Sequence, residues 1–160
     1  MISRDENPGF INAFLDYSTI ILNKSPNSIK EYNYDLAMFF KFIKMHFNLT
    51  DKKDFKEIKI NDLTIDTVNK IKIDDIHSFL GYLTSEYHSK AATRARKIST
   101  IRIFFKYLSQ KANILDVNPA QNLETPKLEK RMPKYLSLDD SRKLLNVAIN
   151  EDNRNYKRDY

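Results

Sequence analysis

The chain has 160 residues, a formal net charge of +6 and a pI of about 9.3, and 41% of its residues are hydrophobic. That is enough apolar material for one packed domain, and it is not the composition of a disordered chain. Two glycines and no cysteine argue against a turn-rich β fold, and they exclude glycine-rich phosphate loops, disulfides, thiolate metal sites and a cysteine nucleophile.

The opening Met1-Ile2-Ser3-Arg4-Asp5-Glu6 is too polar for a signal peptide. No apolar run approaches the roughly 18 residues needed to span a bilayer, so no membrane role and a cytoplasmic location are expected. A first helix is predicted from Asn7-Pro8, with Asn7 as cap and Pro8 at the first helical position. Phe10, Phe14, Tyr17 and Ile21 line one of its faces. The same start signal returns at Ser25-Pro26. From there Ile29, Tyr32, Leu36, Phe40, Ile43 and Phe47 form a long apolar stripe. The opposite side of this second helix presents Asn27, Lys30, Tyr34 and Lys41.

Residues 49–72 have ambiguous spacing and read as a polar loop followed by a short helix near Thr64–Lys70. A helix near Asp74 follows, with Ile76, Phe79, Leu80, Leu83 and Tyr87 inward. A second long helix is predicted from about Ala91 to Lys111, with Ile98, Ile101, Phe105 and Leu108 at helical spacing and Phe104 beside them.

This last helix carries the main functional signal. Between Glu86 and Asp116 there are seven basic residues and no acidic one: Lys90, Arg94, Arg96, Lys97, Arg102, Lys106 and Lys111. Ordinary solvated helices mix charge signs to form i,i+4 pairs. A stripe that is apolar on one side and basic elsewhere points to a polyanion, with DNA the first candidate. The apolar stripe weakens at the N-terminal end, where Thr93, Arg94, Arg96 and Lys97 stand. That end is expected to project beyond the core and to offer phosphate and base contacts. Ser28, Thr93 and Thr100 are candidate phosphate partners, whereas Ser25 is most simply a cap. The three histidines, His46, His77 and His88, have no metal-ligand spacing, and no cofactor is expected.

After Asn118 the helical periodicity stops. Pro119, Pro126 and Pro133 lie among Lys127, Lys130, Arg131 and Lys134, which reads as an inter-domain linker over 117–135. A helix then starts at Leu136-Ser137-Leu138-Asp139-Asp140, with Leu138, Leu144, Leu145 and Ala148 on its apolar side. One helix cannot bury its own face, so 136–160 reads as a second domain that begins here and is cut off.

Three stretches resemble the tyrosine recombinases of the Xer and phage-integrase family. They are Ser25-Pro-Asn-Ser-Ile-Lys-Glu-Tyr-Asn-Tyr-Asp-Leu36 followed by Phe39-Phe-Lys-Phe-Ile43, then Ser89 to Leu108, then Asn118 to Leu128 with Pro133-Lys-Tyr-Leu-Ser137. Their order and intervals also match, while 49–72 departs from the shortest members by an apparent insertion. The resemblance implies an all-α, four- to five-helix, SAM-like core-binding domain over 1–116, forming half of a clamp around double-stranded DNA. The helices from Pro26 and Ala91 would face the major groove. The expected DNA-binding residues are Ser28, Lys30, Tyr34, Lys41, Lys90, Thr93, Arg94, Arg96, Lys97, Thr100, Arg102, Lys130 and Arg131. Arg96 ranks above Ser99 and Arg102, which partly serve packing.

The resemblance further implies a tyrosine nucleophile within a C-terminal catalytic domain that lies beyond the first helix. No catalytic residue is therefore expected within 1–160, and Tyr156 and Tyr160 are not the nucleophile. The implied partners are that domain and further recombinase protomers, assembled as a tetramer on DNA. Two other readings remain open at this point: a free-standing helical DNA-binding regulator, and a basic protein-interaction module with no nucleic-acid role.

Overall fold

The computed structural model describes residues 4–52, 54–126 and 135–150, the side chains through Asn146. Among them lie a single 3-10 turn, six α-helices and no strand, so the fold is all-α. The helices are α1 (Gly9–Ile20), α2 (Pro26–His46), α3 (Ile65–Asn69), α4 (Ile73–Ser85), α5 (Ala91–Gln110) and α6 (Leu138–Asn150). The chain divides into two units between Leu128 and Glu129. Helices α1 to α5 belong to the first and α6 to the second.

Helix α2 is the centre of the first unit and touches α1, α4 and α5. Its second half is buried nearly all round. Asp35, Leu36, Ala37, Met38, Phe39, Phe40, Phe42, Ile43 and Lys44 are all inside. A one-sided stripe accounts for Leu36, Phe40 and Ile43 but not for the rest, because three helices cover α2 and leave it no free face. Six phenylalanines, Phe14, Phe39, Phe40, Phe79, Phe104 and Phe105, are fully buried. They meet edge to face, with Phe39–Phe79 at 5.3 Å and Phe40–Phe104 at 5.6 Å between ring centres. That geometry sets the positive ring edge against the negative face of its neighbour.

The helix starts follow the expected chemistry, with one shift. Ser25 Oγ accepts from the Ser28 amide at 3.3 Å, and Pro26 opens α2. Ser137 Oγ accepts from the Asp140 amide at 3.1 Å, and α6 opens at Leu138. At α1, however, Pro8 occupies the cap position and Asn7 does not cap. The Asn7 amide instead donates to Asn33 Oδ1 at 2.7 Å and Asn12 Oδ1 at 3.2 Å, joining α1 to α2.

The helix ends show how a glycine-poor chain stops its helices. Asn23, Asn48, His88 and Asn113 have φ of 48°, 54°, 46° and 51°, each just past a helix end. The following amide then reaches back to a late helical carbonyl: Lys24 to Ser18, Leu49 to Lys44, Ser89 to Leu83 and Ile114 to Leu108. Asparagine tolerates this left-handed backbone better than most residues, and it takes the place glycine usually fills.

Two expected inward residues are outside. Ile21 is 65% exposed because it lies past the last turn of α1, and Tyr87 is 45% exposed in the turn after α4. Tyr87 packs instead against Tyr82 and Phe55. Burial first, and then the neighbouring Tyr87, pushes the Tyr82 phenol up to about 12. Within 49–72, Ile58, Ile60, Leu63, Val68 and Ile71 are buried, so this stretch closes the core as well as linking α2 to α4. In the second unit, Leu138, Leu144 and Leu145 are exposed.

Two outcomes are expected in thermal or denaturant unfolding. Phe105→Ala should cost about 3–5 kcal/mol, since the ring is fully buried. His88→Gly should stabilise by roughly 0.5–1 kcal/mol, because histidine is strained at φ 46° and glycine is not.

Candidate nucleic-acid interface

The two long helices run in the same direction. Thr100 lies 65 residues from Asp35 and donates to its Oδ2 at 2.9 Å. The same offset holds for Glu31 and Arg96, and within one residue for the ring pairs Phe39–Phe105 and Phe40–Phe104. Contacts therefore step forward along both helices together. Applied to Pro26, this offset leads to Ala91, so α2 and α5 begin at the same end of the unit. Each N-terminus carries a partial positive charge from its unpaired amides. Lys90 at the cap of α5 makes no side-chain cap, which leaves the first-turn amides of α5 open.

One carboxylate holds this arrangement. Asp35 is completely buried and accepts four hydrogen bonds, all from α5. Arg96 binds it through both terminal nitrogens, Nη1 to Oδ2 at 2.7 Å and Nη2 to Oδ1 at 2.9 Å. Lys97 Nζ donates to Oδ1 at 2.8 Å, and Thr100 Oγ1 to Oδ2. Arg96 Nη1 also lies 2.8 Å from Glu31 Oε2, one turn before Asp35 on α2. The Tyr34 ring sits over Lys97, with Nζ 4.8 Å from its centre.

This placement corrects the expectation of a projecting, freely cationic α5. The side chain of Lys97 is 4% exposed and Thr100 is buried. Both face inward because the Asp35 carboxylate must be paired where water cannot reach it. Arg96 keeps 41% exposure but has two acidic partners. Arg102 is drawn away as well. It donates to the Leu123 carbonyl and, at 3.2 Å, to Thr125 Oγ1, tying residues 123–125 to α5.

Lys41 is likewise engaged inside the unit. Its ammonium donates to the carbonyls of Phe55 at 3.1 Å and Lys56 at 3.3 Å, and burial lowers its pKa from the ordinary lysine value. One turn on, the buried Lys44 binds the Lys59 carbonyl at 3.0 Å and both Asp62 oxygens at 2.7 Å. These two lysines fasten the 49–63 connection to α2.

The remaining candidates lie at the surface. Lys30, Tyr34, Lys90 and Thr93 are exposed, and Ser28 and Arg94 are half-buried. Ser28 Oγ meets Ser25 Oγ at 3.0 Å, and Arg94 donates to the Ser89 carbonyl. Lys130 and Arg131 lie outside the described residues, as do Tyr156 and Tyr160. The face shared by the N-terminal halves of α2 and α5 thus gathers Ser28, Lys30, Tyr34, Lys90, Thr93, Arg94 and Arg96, with Glu31 among them. Asp35 and Glu31 were not singled out from the sequence. A carboxylate at the edge of the apolar run Leu36-Ala37-Met38-Phe39-Phe40, in a chain with a later segment of unmatched cations, was the available signal.

Residues 52–112 match the family described as the phage integrase N-terminal SAM-like domain. The chain is 41% identical over 140 residues to tyrosine recombinase XerC of Caldanaerobacter subterraneus subsp. tengcongensis, spanning 87% of this chain and 40% of that protein. The chain belongs to the Xer-like tyrosine recombinase family. It is also 30% identical to tyrosine recombinase XerC of Leptospira interrogans serovar copenhageni, over 82% of this chain and 36% of that protein. With tyrosine recombinase XerD of Listeria monocytogenes serotype 4b the identity is 32%, over 86% and 40%. The chain spans about two fifths of the length of these relatives. No solved structure matches it. Among the described residues no group of His, Asp and Glu could hold a metal ion, and no helix is long and apolar enough to cross a membrane.

The Asp35 cluster has a direct stability consequence. Asp35→Asn should cost about 3–5 kcal/mol, because it leaves Lys97 buried without its counter-charge. Lys90→Ala should stay within about 0.5 kcal/mol, since it is a surface change. Denaturant titration followed by circular dichroism measures both.

Proposed function

We propose that residues 1–116 bind double-stranded DNA through the N-terminal halves of α2 and α5, as the clamping part of a site-specific recombinase. The observation that carries this reading is the parallel pairing of the two helices, which brings two helix N-termini and a set of cations to one end. Open amides at a helix N-terminus bind phosphate, and their dipole favours it. Lys90, Arg94 and Lys30 supply positive charge around them. Ser28, Thr93 and Tyr34 supply hydroxyls of the kind that fix a protein's register on a duplex.

Arg96, Lys97, Thr100, Arg102 and Lys41 take a different part in this reading. Their polar groups are committed to Asp35, to the 123–125 segment and to the 55–56 carbonyls. They position the face, and of the five only Arg96 also reaches solvent on it. Lys130 and Arg131 belong to the later part of the proposed 117–135 linker, past the 123–125 segment that is held on α5, and that later part would follow the duplex to the catalytic domain. Residues 136–160 would open that domain, and strand cleavage and rejoining would be its work. Assembly of several protomers on DNA, in the cytoplasm, completes the proposal.

About three to four phosphates can be neutralised by this face. The logarithm of the binding constant should then fall against the logarithm of salt with a slope of roughly −3 to −4. Fluorescence anisotropy with a labelled duplex tests this. Lys90→Ala and Arg94→Ala should each weaken binding and flatten the slope by about 0.9. Lys90→Ala should leave the melt unchanged, whereas Arg94→Ala also removes a hydrogen bond to the Ser89 carbonyl and should lower the melt slightly. Binding that ignores salt, or no binding at about 50 mM salt, overturns the reading.

A further inference from the structure

We propose that Glu31 is an electrostatic gate on the DNA-binding face: an internal stand-in for phosphate that holds Arg96 until a backbone phosphate displaces it. The inference rests on the reading of this face as a duplex-binding surface. Asp35 is saturated, since a carboxylate offers about four acceptor sites and all four are used by Arg96, Lys97 and Thr100. It offsets one of the two cations it binds. The second charge is offset by Glu31.

The two carboxylates sit very differently. The Asp35 side chain is 0% exposed and Glu31 is 57% exposed. Glu31 meets Nη1, which also bonds Asp35, so the same nitrogen has one fixed and one exchangeable acceptor. Rotating Glu31 into water leaves every Asp35 contact in place. The guanidinium then presents a vacated, outward donor that is already aimed by the bidentate grip behind it. A phosphodiester oxygen is a chemical equivalent of the departing carboxylate oxygen. An exposed ion pair is weak, so a well-placed phosphate can replace it, whereas a poorly placed one leaves Arg96 neutralised. Glu31 also repels any duplex that approaches without making this exchange. The device therefore lowers affinity for arbitrary DNA.

Removing the gate should strengthen binding to random-sequence duplex and add one phosphate contact. In an anisotropy series across roughly 50–200 mM salt, Glu31→Gln should bind about fivefold to tenfold tighter near 0.1 M, with a slope steeper by about 0.9. Glu57→Gln is the control for net charge. Glu57 is an exposed acid that pairs with Lys52, on the 49–63 connection. It should change affinity by no more than about twofold and leave the slope alone, because screening at this salt limits charge effects to about 10 Å. In an Arg96→Gln background, Glu31→Gln should leave the slope unchanged and give at most the gain of about twofold that lost repulsion alone supplies at this salt. Where Arg96→Gln does not fold, the comparison of the two glutamate variants decides alone.

Wild-type affinity and slope in Glu31→Gln, or an equal gain in Glu57→Gln, overturns the gate while leaving DNA binding standing. Absence of binding by all variants at low salt overturns both.

Discussion

The buried Asp35 carboxylate is the constraint from which the rest of this fold takes its order. An ionised group cannot stay dry without partners, and here every partner comes from one neighbouring helix. Arg96, Lys97 and Thr100 span just over one turn of α5, and together they accept only one rotation and one register of that helix against α2. The phenylalanine pairs beyond them supply more apolar burial, but rings tolerate sliding far better than a four-bond carboxylate does. A buried ion cluster is a weak source of net stability and a strong source of specificity in such settings. In this chain it aligns the two helix starts, and the face at that end exists because of the alignment.

A second group of cations does comparable work on the other side of α2. Lys41 and Lys44 each reach backbone carbonyls of the long connection to α4, and Lys44 adds Asp62. A connection of this length has few backbone bonds of its own, and its buried isoleucines alone would not define its path. Ammonium groups donating to carbonyls give it that path. Arg102 repeats the device on the segment after α5. Positive charge in this protein is thus structural material as well as surface charge, and five of the cations expected to contact DNA, Lys41, Arg94, Arg96, Lys97 and Arg102, are hydrogen-bonded within the unit.

That division explains what could be read from the sequence. The long helices were legible to within a residue, because Ser25-Pro26 is a strong start signal and the Ile98, Ile101, Phe105, Leu108 spacing is unambiguous. The exposure of Lys30, Lys90 and Thr93 was legible for the same reason: position on a helix predicts exposure when the apolar stripe is clear. Lys97 and Thr100 are buried although charge and hydroxyl ordinarily mark solvent exposure. Only their pairing with an acid 62 and 65 residues away makes them core residues, and no local pattern records such a pairing. In 49–72 the short helix expected near Thr64–Lys70 is present as α3, but the burial of Ile58, Ile60 and Leu63 before it was not legible. Its apolar residues follow the shared core they close rather than a helical or strand period.

The count of basic residues in a segment is therefore a poor measure of the field it projects. Of the seven between Glu86 and Asp116, Arg96 and Lys97 are offset by Glu31 and Asp35, and Arg102 is held on the 123–125 segment, away from the start of α5. Lys90 and Arg94 remain at the shared helix start, together with Lys30 from α2. A small free charge at two aligned helix N-termini favours docking in one orientation over adhesion in many. Non-specific affinity grows with the number of phosphates neutralised, whereas orientation depends on where the few retained charges and amides are fixed. By holding cations inward on Asp35, the fold gives up total charge and gains a defined geometry for the charge it keeps.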